Sequence, residues 1–312
     1  MIMADITISV IGECMVELQK SGELYNPNFG GDTLNTALYL ARLVNRKNIS
    51  INYVTGLGED IFSHKMVKAW QAENINTDLV HTSATKNAGL YVIDTDSDGE
   101  RSFHYWRSDS AARYWLLDVS VPDLVSKLSQ SQWIYLSGIS LAILPKQALE
   151  ILFDVLHQCH RQGTKIAFDN NYRANLWSSR EEAQSAYRRI LKMTDLAFLT
   201  FDDEQALFGD ASESQSIERA QAMGIDEIVI KRGSNACFVV KDDQLHEVPA
   251  RHISNIIDTT AAGDSFSAGY MASRFIECDV LKAAAMGHLL AGTVIQYPGA
   301  IIPLDVMPQL NN

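Results

Sequence analysis

Little in this sequence points to a secreted, membrane-bound or nucleic-acid-binding protein. Its 312 residues hold only four cysteines, Cys14, Cys159, Cys237 and Cys278, and no two form a CxxC pair. Isolated thiols of this kind act as small apolar residues and suit a reducing cytosol. No apolar run approaches the roughly 20 residues of a membrane span. The opening MIMADITISVIGECMVEL has a short apolar core and no positive leader, so no signal peptide is expected and the expected location is cytoplasmic. Basic residues are outnumbered, 26 Lys and Arg against 38 Asp and Glu, for a net charge of −12. A nucleic-acid binder carries a basic face, so neither nucleic acid nor membrane is an expected partner. No Pro- or Ser-rich linker, repeat or low-complexity tract divides the chain, and one domain over 1–312 is expected. Two phosphate signatures are missing: GxxxxGK[ST], and GxGxxG after the first strand. Their absence counts against a P-loop kinase and a dinucleotide dehydrogenase. SGISLAI has no GxSxG elbow, and HQCH (157–160) falls in a helical pattern with no second pair of ligands.

What is present is a core-forming composition, 46% hydrophobic and 21% charged. ITISVIGE (6–13) and SINYVTGLGED (50–60) read as strands ending in glycine turns. GGDTLNTALYLARLV (30–44) and FSHKMVKAWQAEN read as helices. In GLYVIDTDSDGERSFHYWR (89–107) two β runs flank Asp96, Ser97, Asp98 and Gly99, a hairpin signal that predicts a small separate sheet. From about 133, the runs WIYLSGI, KIAFDNN, LAFLTFDD and EIVIKRG alternate with helical patterns and each ends in Gly, Asp or Asn. Such alternation predicts a parallel α/β sheet whose ligands sit at the carboxyl ends of the strands.

The densest chemical signal is IDTTAAGDSFSAGYMASRF (257–275). Small residues leading into a helix bare their backbone N–H groups to an anion. Asp264 at the same helix start would repel that anion unless the carboxylate does chemistry there. A phosphoryl transfer needs both parts: N–H groups for the charge on the moving group, and a base for the acceptor hydroxyl. Ala261, Ala262, Gly263 and Asp264 can supply them. A lone Asp in this position is commonly only a helix N-cap; the run of seven, 258–264, is far rarer.

This segment resembles the second signature of the ribokinase (PfkB) family of carbohydrate kinases, with Ala261 where the family often has Gly. GGDTLNTA (30–37) is similar to the family's Gly-Gly-x-x-x-Asn start, and GLGEDIFS (56–63) to its Gly-x-x-Gly-x-Asp segment, with Ser63 where Gly is usual. KRGSNA (231–236) resembles its nucleotide-binding turn, and GTVIQYPGA (292–300) the loop over adenine and a monovalent cation. The resemblance spans nearly the whole chain. It implies a three-layer αβα sandwich with a mostly parallel sheet and a β lid near 14–30 and 86–114, which in this family often pairs subunits, so a homo-oligomer is expected.

The resemblance also implies ATP as phosphoryl donor, Mg²⁺ and a possible K⁺. It implies a nucleotide seat at Asn171, Tyr172, Arg173, Lys231, Arg232, Gly233, Ser234, Asn235, Ala236, His288 and 261–263, and a sugar seat at Gly31, Asp32, Thr33, Leu34, Asn35, Tyr91, Tyr105, Trp106, Arg107 and Arg173. His288 is as readily a packed helix histidine. Arg107 and Arg173 suit a carboxylate, which Arg grips by two parallel hydrogen bonds. The family members acting on the sugar acid 2-keto-3-deoxygluconate, phosphorylating it at position 6, are the best match. A kinase for a neutral sugar such as fructose, and a sugar-binding member without activity, remain alternatives. The usual Asn-x-x-Glu for Mg²⁺ is not clear; Asp202, Asp203 and Glu204 in TFDDEQALFG stand in its place, although acids at a helix start often only match its dipole. Asp258 and Thr260 are the candidates near a monovalent cation.

Overall fold

The computed structural model describes residues 6–21, 23–45, 48–95, 101–277 and 279–310. Cys278 and the turn residues Asp96, Ser97, Asp98 and Gly99 lie outside them. The strands are β1 (Ile6–Ile11), β2 (Met15–Ser21), β3 (Leu24–Gly30), β4 (Ile49–Leu57), β5 (Ile75–Asn76), β6 (Val80–Thr82), β7 (Gly89–Thr95), β8 (Arg101–Trp106), β9 (Trp133–Ser137), β10 (Lys165–Asp169), β11 (Leu196–Thr200), β12 (Glu227–Lys231), β13 (Cys237–Lys241) and β14 (Gln244–Val248). The helices are α1 (Asp32–Val44), α2 (Ile61–Ala72), α3 (Ala111–Tyr114), α4 (Val121–Leu128), α5 (Gly138–Ala142), α6 (Lys146–Arg161), α7 (Arg180–Leu191), α8 (Phe201–Phe208), α9 (Glu213–Ala222), α10 (Ala262–Glu277) and α11 (Val280–Val294).

One sheet runs in the order β14-β13-β12-β11-β10-β9-β1-β4-β5, with β6 added to β4. It is parallel from β12 to β5, and β13 and β14 fold back antiparallel at one edge. The alternation along its strands separates two cores. Tyr135, Ala167, Phe198 and Val229 face α1, α10 and α11; Leu136, Phe168, Leu199 and Ile230 face α4, α6 and α7. Period-two side chains and helices on both faces make the expected three αβα layers. The four strands expected after 133 form as β9 to β12. The β13–β14 hairpin was not anticipated, although Asp242 (φ 51) and Asp243 (φ 57) carry the two left-handed residues that a tight hairpin turn requires.

The 89–107 hairpin lies outside this sheet, as expected. It joins a second sheet, β3-β2-β7-β8. There β2 pairs antiparallel with β3 and parallel with β7. β3 runs through Gly30 into α1, so this sheet adjoins the carboxyl end of β1. On the opposite side of the cleft, α10 packs tightly along α11. A Cβ on Gly269 would lie 2.9 Å from Met286 O, which fixes the close approach of the two helices and thereby the start of α10.

Candidate active site

A cleft of about 580 Å³ opens at the carboxyl ends of the central strands, between the second sheet and the first turn of α10. At its centre, Asp264 stands in that first turn and accepts a 2.8 Å hydrogen bond from Asn35 Nδ2. Withdrawal from water is the main cause that raises the Asp264 carboxyl to about 7, helped by the neighbouring charges of Asp32 and Asp169 and opposed by Asn35 and Lys231. Ala261 precedes the helix in a left-handed conformation, φ 60. The Ala262 N–H turns to Thr259 O at 3.2 Å, so the amides of Gly263 and Asp264, in a first turn that has no helical partners of its own, lead the α10 dipole. Lys231, at the end of β12, donates to Asp169 Oδ2 at 2.7 Å, and its Nζ would be 3.4 Å from a Cβ on Gly263.

Beneath the second sheet, Asp32 Oδ2 accepts from Ser137 Oγ (2.5 Å) and Asn171 Nδ2 (2.7 Å). Asp32 and Asn35 are three residues apart on α1 and therefore share its cleft face. The second sheet contributes Tyr91, Phe103 and Tyr105, and the residue after β8 contributes Arg107. Arg107 pairs with the buried Glu13, which also takes the Ser110 hydroxyl, while Arg107 Nε has no partner among the described residues. Arg173 is half-exposed and lies 3.7 Å from Asp203 Oδ1. The other end of the cleft is formed by Arg232, Gly233, Cys237, Phe266 and His288. Burial holds the His288 imidazole below its ordinary pKa, and its Nε2 lies 3.1 Å from Val248 O.

Several expected residues stand elsewhere. Thr33 and Leu34 are buried in the core, Thr33 against Tyr53 OH, because the helical period turns them away from the cleft face. Trp106, 62% exposed, falls on the opposite strand face from Tyr105 and Arg107. Tyr172 is buried under the loop; its N–H donates to Asp203 at 3.1 Å. Ser234, Asn235 and Ala236 form the outward part of their turn, so that 231–233 and Cys237 reach the cleft instead. Glu204 is fully buried, held by Asn170 and Arg219, and does not line the cleft. Thr260 lines it, but Asp258 turns inward to Thr260 and to Gly299 N at 2.7 Å.

Sequence reasoning missed Glu13 and Asp169, single acids that close β1 and β10. Their signal was a lone acid at or within two residues of the carboxyl end of a buried parallel strand. Among the described residues no three His, Cys, Asp or Glu side chains gather into a metal cage. Asp202 and Asp203 do line the cleft, a donor set that fits Mg²⁺, which takes one or two carboxylates and fills the rest of its shell with water and phosphate. No helix among the described residues is long and apolar enough to cross a membrane.

Residues 5–307 match the pfkB family of carbohydrate kinases. The chain is 50% identical over 304 residues to a 2-dehydro-3-deoxygluconokinase of Dickeya dadantii, covering 96% of this chain and 98% of that one. Two solved structures share its fold. One is a 2-dehydro-3-deoxygluconokinase of Thermotoga maritima, with a TM-score of 0.83, 21% identity, and 96% and 95% of the two chains covered. The other is an ATP-bound fructokinase of Xylella fastidiosa, with a TM-score of 0.82, 19% identity, and 98% and 96% covered.

Proposed function

The chain belongs to the pfkB family of carbohydrate kinases, and on that premise we propose that it transfers the γ-phosphoryl group of ATP to 2-dehydro-3-deoxygluconate, at the 6-hydroxyl. The observation that carries the substrate is the presence, in one cleft, of Asp264 with two arginines, Arg107 and Arg173. Glu13 and Asp203 already stand beside these guanidiniums, but each guanidinium has more N–H donors than those carboxylates take, and a sugar acid's carboxylate uses them where a neutral sugar cannot. A sugar acid gives its carboxylate to these arginines and its opposite hydroxyl to Asp264.

Asp264 takes the proton of the acceptor hydroxyl; a carboxyl raised to about 7 is matched to that task near neutral pH. Asn35 holds its other edge. The Gly263 and Asp264 amides, the α10 dipole and Lys231 hold the charge that grows on the moving group. Arg232, Gly233, Cys237 and His288 form the nucleotide end. Asp202 and Asp203 would hold Mg²⁺ arriving with ATP, which supplies charge neutralisation between the phosphates. Asp258 spends its oxygens on Thr260 and Gly299, and no step is assigned to a monovalent cation. Trp106 leaves a large apolar surface on the face of β8 turned away from the cleft, and through this sheet the chain would pair with a second copy.

The test is ATP consumption over a panel of 2-dehydro-3-deoxygluconate, gluconate, fructose and ribose, with and without Mg²⁺. The sugar acid should have the highest kcat/KM, and turnover should vanish without Mg²⁺. A preference for fructose or ribose would refute the substrate, and no turnover on any member would refute the kinase.

A further inference from the structure

The group of charges below the sugar end takes no part in the chemistry above. Glu204 on α8 is fully buried, yet both its oxygens are committed. Oε1 accepts from Asn170 Nδ2 at 2.8 Å, and Oε2 takes Arg219 of α9. Arg219 is fixed in turn by Asp210 and by the Phe208 ring, 3.9 Å beneath its guanidinium. Asn170 is buried and joins the ends of two strands. Its Oδ1 accepts from Thr200 N (3.0 Å) and Asn171 N (2.7 Å), and its Nδ2 also donates to Thr200 O (3.1 Å). The next residue, Asn171, has φ 29, a left-handed conformation that an L side chain seldom adopts without restraint. From there its Nδ2 reaches Asp32. Neither Asn170, Glu204 nor Arg219 lines the cleft, whereas Asn171, Thr200 and Asp32 do.

We propose that Arg219, Glu204 and Asn170 are positioning residues that act through Asn171 to hold Asp32 in place under the sugar acid. Each link has one free choice removed by the one before it. The fixed guanidinium sets the Glu204 carboxylate, and that carboxylate sets which end of the Asn170 amide donates. The amide orientation then presents Oδ1 to the Asn171 N–H and keeps the strained residue in place. A buried hydrogen-bonded network of this kind is costly to satisfy in part. Glu204 is thereby a structural acid of the substrate seat and not a metal ligand.

The proposal rests on the reading that the Asp32 end holds the sugar acid; wild-type enzyme inactive on that substrate would sink that reading alone. Given wild-type turnover, steady-state kinetics and thermal melts are compared for Asn170→Asp, Glu204→Gln, the double variant and Arg219→Lys. Asn170→Asp sets an oxygen against Glu204 Oε1 and should raise the sugar-acid KM about tenfold or more, with the ATP KM changed by less than about twofold. In the double variant the glutamine amide donates to the new carboxylate, which removes the clash with position 204 but not the one with Thr200 O, so the sugar-acid KM should fall at least about threefold below that of Asn170→Asp. Arg219→Lys keeps the charge but not the two-armed grip, and should raise the sugar-acid KM selectively even if Asn170→Asp does not fold. The proposal is overturned if the two KM values move together, if the folded double variant is no better than Asn170→Asp, or if Arg219→Lys lowers the melting temperature and leaves both KM values alone.

Discussion

Replacing Asp264 by Asn should make the protein far slower and, at alkaline pH, more stable. The change is nearly isosteric, and the amide oxygen can still accept the 2.8 Å bond from Asn35. Loss of a positioned base lowers kcat by ~10²–10⁴, or about 3–5 kcal/mol of transition-state stabilisation. The stability effect has the opposite sign. In the unfolded chain an Asp titrates near pH ~4, and in the folded chain Asp264 titrates at about 7. Below the lower value both states hold the proton and the group contributes nothing. Between the two, only the unfolded state ionises, so stability falls as pH rises, and above the upper value the loss is complete. Taken in full, the difference is about 4 kcal/mol. Water at the cleft and charge shared with Asp32 and Asp169 reduce it to roughly 1–2 kcal/mol. Asn carries no charge, so the variant escapes the loss. Denaturant melts of both proteins at pH 5 and pH 8 should show a gap that widens with pH, and wild-type kcat/KM should rise with pH and level off above about 7. A folded variant with kcat within about threefold of wild type would refute the base. A stability gap that does not grow with pH would refute the raised carboxyl.

Arg107→Ala and Arg173→Ala should both raise the sugar-acid KM much more than the ATP KM, but they should separate in stability. The first strands buried Glu13 and should cost ~3–5 kcal/mol; the second removes a half-exposed group and should cost less than ~1 kcal/mol. Calorimetry beside kinetics checks both, and equal melting losses would contradict the Glu13 pairing. Ala261→Gly relieves a left-handed alanine worth ~1–2 kcal/mol against ~0.4–1 kcal/mol for a freer unfolded chain, so stability should hold or rise slightly; a clear loss would contradict the φ of 60. Gly31→Ala would put a Cβ 2.2 Å from Glu13 O. It should shift β1 against α1 and raise the sugar-acid KM, and unchanged kinetics would contradict that close approach.

The layers and the small-residue turn into α10 were legible because each is local. Short apolar strands closed by Gly, Asp or Asn, and glycine-rich helix entries, need no distant partner to be recognised. That Asp264, Asp32 and Asn35 would stand together in the cleft could be read for the same reason. The errors arose where the outcome depended on which way a side chain turned. Thr33 and Leu34 sit beside Asp32 in a motif, yet the helical period sends them into the core. Trp106 lies between Tyr105 and Arg107, and the strand period puts it on the other face. Glu204 reads as one more acid in FDDE until Arg219, 15 residues on, and Asn170, 34 residues back, are folded against it. Glu13 is one acid after a strand, and only Arg107, 94 residues away, gives it a purpose.

The Asn35–Asp264 hydrogen bond closes a gap of 229 residues, and Tyr39 OH reaches the carbonyl of Ala300, 261 residues away. At a synthesis rate of ~5–20 residues per second, Asp264 therefore emerges roughly 10–50 seconds after Asn35, whose amide orients it. During that interval the first strand and helix must wait, with the face meant for α10 uncovered. A chain still on the ribosome has no means of activating a hydroxyl or wasting nucleotide. It is also exposed to aggregation, because the helix pair that seals that face is made more than 200 residues after α1.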